Sequence, residues 1–311
     1  MINLAFSTNA FKRYSLEDSI REIARLGYRG VEILCDIPHA YPPHFKEDHV
    51  RSFKKTLASS NIQISNLNAF TLFAIGDTYH PSWIDDNRRR EIRIQHTIEC
   101  IRLAKKIGAK HLSTEPGGPV KMLASSSSLS SSSSPPPPPA EEQSQQRQQQ
   151  QQQHQRQQPL AVDRLEEIFL DGLARVAQIA EEDDVKVLIE PEPGLLVENS
   201  RQFKKLMTKI LNPKNIRLNF DIGHFYCVNE DPAKVVLELS DYIEHFHLAD
   251  IAHTRIHNHL IPGRGAIDFR SVFDAIDDIG YRGFVTVELY PYQANPIDAA
   301  KEAYDYLCNI I

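Results

Sequence analysis

Four short apolar runs in this chain each end on a residue able to bind a metal ion or move a proton. Val185-Lys186-Val187-Leu188-Ile189 leads into Glu190, and Ile216-Arg217-Leu218-Asn219-Phe220 leads into Asp221. Tyr242-Ile243-Glu244-His245-Phe246 leads into His247, and Phe284-Val285-Thr286-Val287 into Glu288. Carboxylates and imidazoles together suit a divalent cation: Mn²⁺, Mg²⁺, Co²⁺, Fe²⁺ or Zn²⁺. The lack of clustered thiolates disfavours a purely structural zinc site.

Residues this far apart in sequence meet only if their strands share one sheet edge. Strand-like and helix-like runs alternate along the chain. Strands are expected at Asn3–Ser7, Gly30–Leu34, Ile62–Asn68 and Lys110–Glu115, followed by the four runs above. Between them lie helical patterns. The first opens with the capping box Ser15-Leu16-Glu17-Asp18, places Ile20, Ile23, Ala24 and Leu26 on one face, and ends at Gly27. Further helices are expected near Lys46–Ser59, Ile84–Ile107, Leu160–Glu182, Ser200–Ile210, Pro232–Leu239, Phe269–Ile279 and from Pro296 onward. Eight such units imply an α/β fold, a closed parallel (β/α)8 TIM barrel. No G-x-G-x-x-G follows the first strand, which argues against a dinucleotide-binding open sheet.

The segment Ala124–Pro159 interrupts this pattern with runs of serine, proline and glutamine. Its composition cannot bury enough apolar area to offset its ordering entropy, so it reads as a disordered insert after strand four. It is read as a tolerated loop expansion. The rest of the 311 residues forms a single barrel, close to the roughly 250 residues usual for that fold.

Net charge of −6 gives no general drive towards nucleic acid, which makes nucleic acid an unlikely partner. Four cysteines without C-x-x-C pairing suit a reducing compartment. No run has the length of a membrane helix and no leader pattern precedes the first strand, so a cytoplasmic protein is expected. Homo-oligomerisation is compatible with the sequence.

Reading the strand ends in order gives Glu32, Asn68, Glu115, Glu190, Asp221, His247 and Glu288. In a barrel these converge on one pocket. Several have rivals: Glu192 for Glu190, and His245, which points the same way as His247 on a strand. Glu32 is read as structural. Arg255 is a candidate for recognising a charge or hydroxyl on the substrate. The aromatic stretch Phe70–Trp83 and the turn Tyr290-Pro291-Tyr292 are expected over the barrel mouth.

With these residues in view, the chain resembles the xylose-isomerase-like barrel superfamily. Glu190, Asp221-x-x-His224, His247-x-x-Asp250, the loop Pro262-Gly263-Arg264-Gly265-Ala266-Ile267-Asp268 and Glu288 carry the resemblance. That superfamily contains sugar phosphate isomerases and epimerases, ketose 3-epimerases, inosose-pathway enzymes and the endonuclease IV group. The resemblance implies that Glu190, Asp221, His247 and Glu288 hold one divalent cation, with His224 binding a substrate oxygen. It also implies a small sugar or polyol ketone as substrate. The metal would polarise its ketone and neighbouring hydroxyl, and Glu190 and Glu288 would be the catalytic acid and base through an enediolate. An alternative lies in the endonuclease IV-like branch, a multi-metal hydrolase using Glu115, His257 and His259 as extra ligands. That branch has a histidine where Glu115 stands, another where Asn68 stands, and an Asp-x-His pair at His257-Asn258-His259.

Overall fold

Eight parallel strands pair in sequence order and close on themselves. They are β1 (Asn3–Ser7), β2 (Gly30–Leu34), β3 (Gln63–Asn68), β4 (His111–Thr114), β5 (Lys186–Ile189), β6 (Ile216–Asp221), β7 (Ile243–Leu248) and β8 (Phe284–Val287). The computed structural model describes residues 2–76, 80–119, 140–210 and 213–311. The barrel expected from the alternating pattern is the observed fold.

Side chains along each strand point alternately in and out. Outward residues such as Phe6, Val187, Phe220 and Phe246 are wholly buried beneath the surrounding helices. Burial of each such side chain contributes roughly 1.5–3 kcal/mol. The inward positions are unusually polar for a barrel core: Glu32, Asn66, Ser113, Asn219, His245 and Thr286 are all buried. Several bond across strands, Asn66 Nδ2 donating to Glu32 Oε2 at 2.7 Å and to Ser113 Oγ at 3.0 Å. Ser65 and Thr286 hydroxyls meet at 3.0 Å.

The helices are α1 (Leu16–Arg25), α2 (Glu47–Ser60), α3 (Asn87–Ile107), α4 (Ala140–Asp183), α5 (Ser200–Lys209), α6 (Ile222–Cys227), α7 (Pro232–Glu238), α8 (Phe269–Asp278) and α9 (Pro296–Cys308). Ser15 caps α1 as its sequence suggests, its Oγ accepting from Asp18 N at 3.1 Å. Gly27, at φ +104°, follows that helix where a Cβ would press on the Tyr304 phenol. Helix α3 starts later than Ile84 because the Asp86 side chain caps it, accepting from Arg88 N and Arg89 N.

Residues 124–139 of the low-complexity segment lie outside the described residues, as does Tyr79 of the aromatic stretch. From Ala140 the backbone is helical and runs on through the helix expected from Leu160, so α4 begins earlier than its periodicity suggests. Among the described residues, no helix is long and apolar enough to cross a membrane.

Two register shifts shape the open end of the barrel. One lies between Val31 and Glu32 against β3, the other between Leu218 and Asn219 against β7. Such irregularities re-aim the side chains beyond them, here Asp221 at the end of β6 and Glu32, which lies in the middle of β2 and not at the strand end the sequence pattern suggests.

Candidate metal centre and cavity

Glu190 follows β5, Asp221 ends β6, His247 lies in β7 and Glu288 follows β8. The barrel brings them together. One ligand atom from each lies within 4.8 Å of the others, and all four residues are buried. Two of their oxygens, Glu190 Oε2 and Asp221 Oδ2, are buried without any hydrogen-bond partner. Buried carboxylate oxygens are costly unless paired or coordinated, so this donor set fits a divalent cation.

Three of the four residues are held from behind. Asp221 caps α6, accepting from His224 N at 2.8 Å, a short helix that the sequence pattern did not reveal. Glu288 Oε1 accepts from Asn9 Nδ2 at 2.8 Å and from Asn68 Nδ2 at 3.0 Å. His247 is gripped on both ring nitrogens, Nδ1 at 2.8 Å from Glu190 Oε1 and Nε2 at 2.6 Å from Glu32 Oε2.

The electrostatics follow from crowding acids in a buried place. Burial pushes Glu288 and Glu190 up from the usual carboxylate range, His247 opposing it and the neighbouring acids adding to it. Burial alone would lower His247, but Glu190, Glu32 and Glu288 outweigh it and raise the imidazole well above its ordinary value. Asp221 is held at about 2 against the cost of its burial, by His224, His259 and His247. A cluster with this excess of negative charge attracts a cation.

His245 sits one layer below, its ring centroid 5.6 Å from that of His247. Burial drives its pKa well below the ordinary value, so it is a neutral core imidazole, and with Glu32 and His247 it forms a second buried donor group beneath the quartet. Glu192 lines the cavity above the quartet instead of joining it.

Above the quartet opens a cavity of about 220 Å³. Its lining includes Asn9, Lys12, Asn68, Phe70, Phe73, His224 and Tyr290. The aromatic wall is built by two buried anchors. Arg93 of α3 donates to the carbonyls of Ala69 and Phe70, each at 2.9 Å, and to Pro81 O at 2.7 Å. Asp36 accepts from Phe73 N at 2.6 Å, Ala74 N at 3.0 Å and Thr71 Oγ1 at 3.1 Å. Trp83, expected over the mouth, is instead buried, with Nε1 donating to Thr114 Oγ1 at 3.1 Å.

His224 faces this cavity together with His257 and His259. Their ligand nitrogens lie within 4.8 Å of one another. His224 Nδ1 donates to Pro191 O and His259 Nδ1 to Glu288 O, both at 2.9 Å, which leaves each Nε2 as a lone pair. His257 Nε2 stands 3.1 Å from His259 Nε2. Burial lowers His224 to about 4 and His257 to about 3, so both are neutral at ordinary pH.

Two sequence candidates fall elsewhere. Arg255 packs its guanidinium 3.8 Å from the centre of the Tyr226 ring and donates to Tyr226 O. It lines a separate surface hollow with Asp268 and Lys234, outside the cavity. Glu115 accepts from Trp83 N at 3.1 Å and from Gly117 N, with Arg93 3.9 Å away. It anchors a loop and is absent from both the cavity lining and the histidine cluster.

Sequence reading passes over Asn9 and Lys12, and takes Glu32 as structural. Asn9 lies two residues past β1, so the strand-end rule applied to that strand finds it. Asp250 explains the loop after it: its carboxylate accepts from Gly263 N at 2.9 Å, Gly265 N at 2.8 Å and Ile267 N at 3.2 Å. A Cβ at Gly265 would collide with that carboxylate, which is why glycine stands there.

A family model described as a xylose isomerase-like TIM barrel matches residues 20–310. An inosose dehydratase from Lacticaseibacillus casei is 30% identical over 168 residues, which covers 48% of this chain and 56% of that protein. The chain thus spans about half the length of the curated relatives it matches. Among solved structures, a D-tagatose 3-epimerase-like protein aligns with a TM-score of 0.70 at 19% identity, covering 99% of both chains. An IOLI protein with a binding zinc atom aligns at 0.70 and 17% identity, covering 99% of this chain and 98% of that one. At such identities the structural likeness speaks for the fold.

Proposed function

We propose, from the premise that this chain belongs to the xylose isomerase-like TIM-barrel family, that it is a divalent-metal-dependent isomerase or epimerase of a small sugar or polyol ketone. The observation that carries this reading is the buried quartet Glu190, Asp221, His247 and Glu288, with unpartnered oxygens on Glu190 and Asp221 beneath a sugar-sized cavity. Names among the similar proteins, epimerase, dehydratase and a zinc-bound barrel, support it.

A cation held by the quartet would polarise a ketone and its neighbouring hydroxyl, acidifying the C–H between them. Glu190 and Glu288 are then the proton-transfer groups. Their strands stand apart in the barrel, so the two carboxylates approach a bound ketone from separate sides. One removes the proton to give an enediolate and the other returns it, which inverts or relocates the centre. Asn9 and Asn68 occupy Glu288 Oε1 and leave Oε2 for the substrate. His224, neutral and presenting Nε2, hydrogen-bonds a substrate hydroxyl.

The test is solvent deuterium uptake by ketoses incubated with metal-loaded protein, followed by proton NMR. Exchange beside the carbonyl with a new epimer or isomer supports the proposal. Exchange followed by loss of a hydroxyl and an enone absorbance would move the assignment to dehydration, and no exchange into any ketose would refute it.

A second reading keeps more than one metal ion per chain, as in the endonuclease IV-like hydrolases. The convergence of His224, His257 and His259 favours it, whereas Glu115 does not contribute. Elemental analysis of protein purified without chelator separates the two. About one ion per chain supports the isomerase reading; two, with one lost in His257→Ala, supports the other.

A further inference from the structure

Among the described residues, Lys12 is the only lysine or arginine lining the cavity. It follows the 3-10 turn Thr8–Ala10 whose Asn9 holds Glu288, so one loop serves both the base and this ammonium group. Its backbone is fixed by the neighbours: Phe11 is wholly buried and its ring meets Tyr14 edge-on at 5.4 Å. The ammonium lies 5.4 Å from the centre of the Phe73 ring.

Among the described residues Lys12 has no hydrogen-bond or ion-pair partner. The acids nearest it in influence are Asp36 and Glu288; both oxygens of Asp36 and Oε1 of Glu288 are already hydrogen-bonded to other groups. Asp36 accepts from Ile37 N, Ala74 N, Phe73 N and Thr71 Oγ1, and Glu288 Oε1 from Asn9 and Asn68. A half-buried ammonium with its donors free needs an acceptor, and a negative one serves best. Burial also lowers the pKa of this lysine, a cost that an arriving anion reverses.

We propose that Lys12 binds an anionic group, carboxylate or phosphate, on the part of the substrate that reaches its side of the cavity. The substrate class is therefore an acidic sugar, a keto acid or a sugar phosphate. This rests on the ketose reading above.

The experiment compares D-fructose, D-fructose 6-phosphate and D-fructuronate, which share a ketose and differ at one end. Dissociation constants for the metal-loaded protein are measured by calorimetry for the native chain, Lys12→Met and Lys12→Arg. One charge-assisted hydrogen bond corresponds to about tenfold in affinity. The native chain is expected to prefer at least one anionic ketose by about that factor, Lys12→Met to lose the preference and Lys12→Arg to keep part of it. Whether phosphate or carboxylate shows the gain identifies the anion. Where the ketoses bind, no preference in the native chain, or one that survives in Lys12→Met, overturns the proposal.

Reductive methylation with ¹³C-formaldehyde supplies a readout independent of ketoses. The Lys12 resonance, assigned by its loss in Lys12→Met, is expected to shift with inorganic phosphate or acetate and not with erythritol. A resonance that ignores both anions overturns the proposal whatever the ketoses do. Failure of all three ketoses with the anion shift intact overturns the ketose reading alone.

Discussion

Glu32 Oε2 lies 2.6 Å from His247 Nε2, on the far side of the ring from Glu190 Oε1. The imidazole is thereby fixed in orientation with a carboxylate on each ring nitrogen, and a cation in the quartet would take Nδ1 while Nε2–H donates to Glu32. A carboxylate behind a ligating histidine sets its tautomer and strengthens it as a donor. Glu32 is itself held by Asn66 Nδ2 at 2.7 Å, so the support runs three residues deep into the barrel.

Glu32→Ala is expected to weaken metal affinity by about 10–100-fold while the barrel stays folded. Glu32→Gln, which keeps an acceptor but loses the charge, should lose less. Competition against a chelating dye measures both, with circular dichroism to check the fold. Unchanged affinity in Glu32→Ala would reduce that residue to packing.

Glu190→Gln and Glu288→Gln each remove a negative oxygen from the quartet and, on the proposed mechanism, a proton-transfer group from the cavity. Turnover should fall by at least about 100-fold, the range for losing a positioned acid or base. Metal content should fall with it. Normal activity in either variant would end the two-carboxylate mechanism.

Asp250→Ala strips the acceptor from the backbone N–H groups of Gly263, Gly265 and Ile267. Only the Ile267 bond is buried, those of Gly263 and Gly265 being part-buried; leaving a buried donor unpaired costs about 1–3 kcal/mol, so a loss in that range is expected by urea unfolding. Arg255→Ala, away from the cavity on the Tyr226 ring, should leave kcat/KM within about twofold, as for most surface changes.

Acid should destabilise the fold through histidines that burial keeps neutral. His39 and His111 are lowered to about 4 and His96 to about 3, in each case by burial first. A histidine with a folded-state pKa below its unfolded value binds fewer protons when folded. Stability is then complete above about 6.5 and is lost as pH falls towards 4. Each group contributes roughly 1.4 kcal/mol per pH unit within that window. Unfolding free energies measured from pH 7 to pH 4.5 test this, and His96→Gln should flatten the slope.

Much of the fold is legible in the sequence because hydrophobic periodicity and caps are local. The eight strands appear where short apolar runs alternate with helical patterns, and Ser15 caps α1 as its motif implies. The strand-end residues Glu190, Asp221, His247 and Glu288 are legible for a related reason: in a closed parallel barrel, sequence position at a strand end fixes position at the mouth. Loops obey no such rule. Arg255, a substrate-recognition candidate by sequence, lies on Tyr226, and Trp83, a candidate for the mouth, lies buried.

What the sequence by itself determined is therefore the barrel, its strand order and the donor types at its open end, because each depends on neighbours a few residues apart. The tertiary structure alone decided which groups meet. Glu32 turns onto His247 only through the register shift beside it, and Asn9 and Asn68, from different strand ends, reach one oxygen of Glu288. Lys12 lines the same cavity without a hydrogen-bond or ion-pair partner among the described residues, while Asp36 is engaged by Thr71, Phe73 and Ala74. Such pairings follow from closure of the sheet, which brings residues more than two hundred positions apart within hydrogen-bond reach.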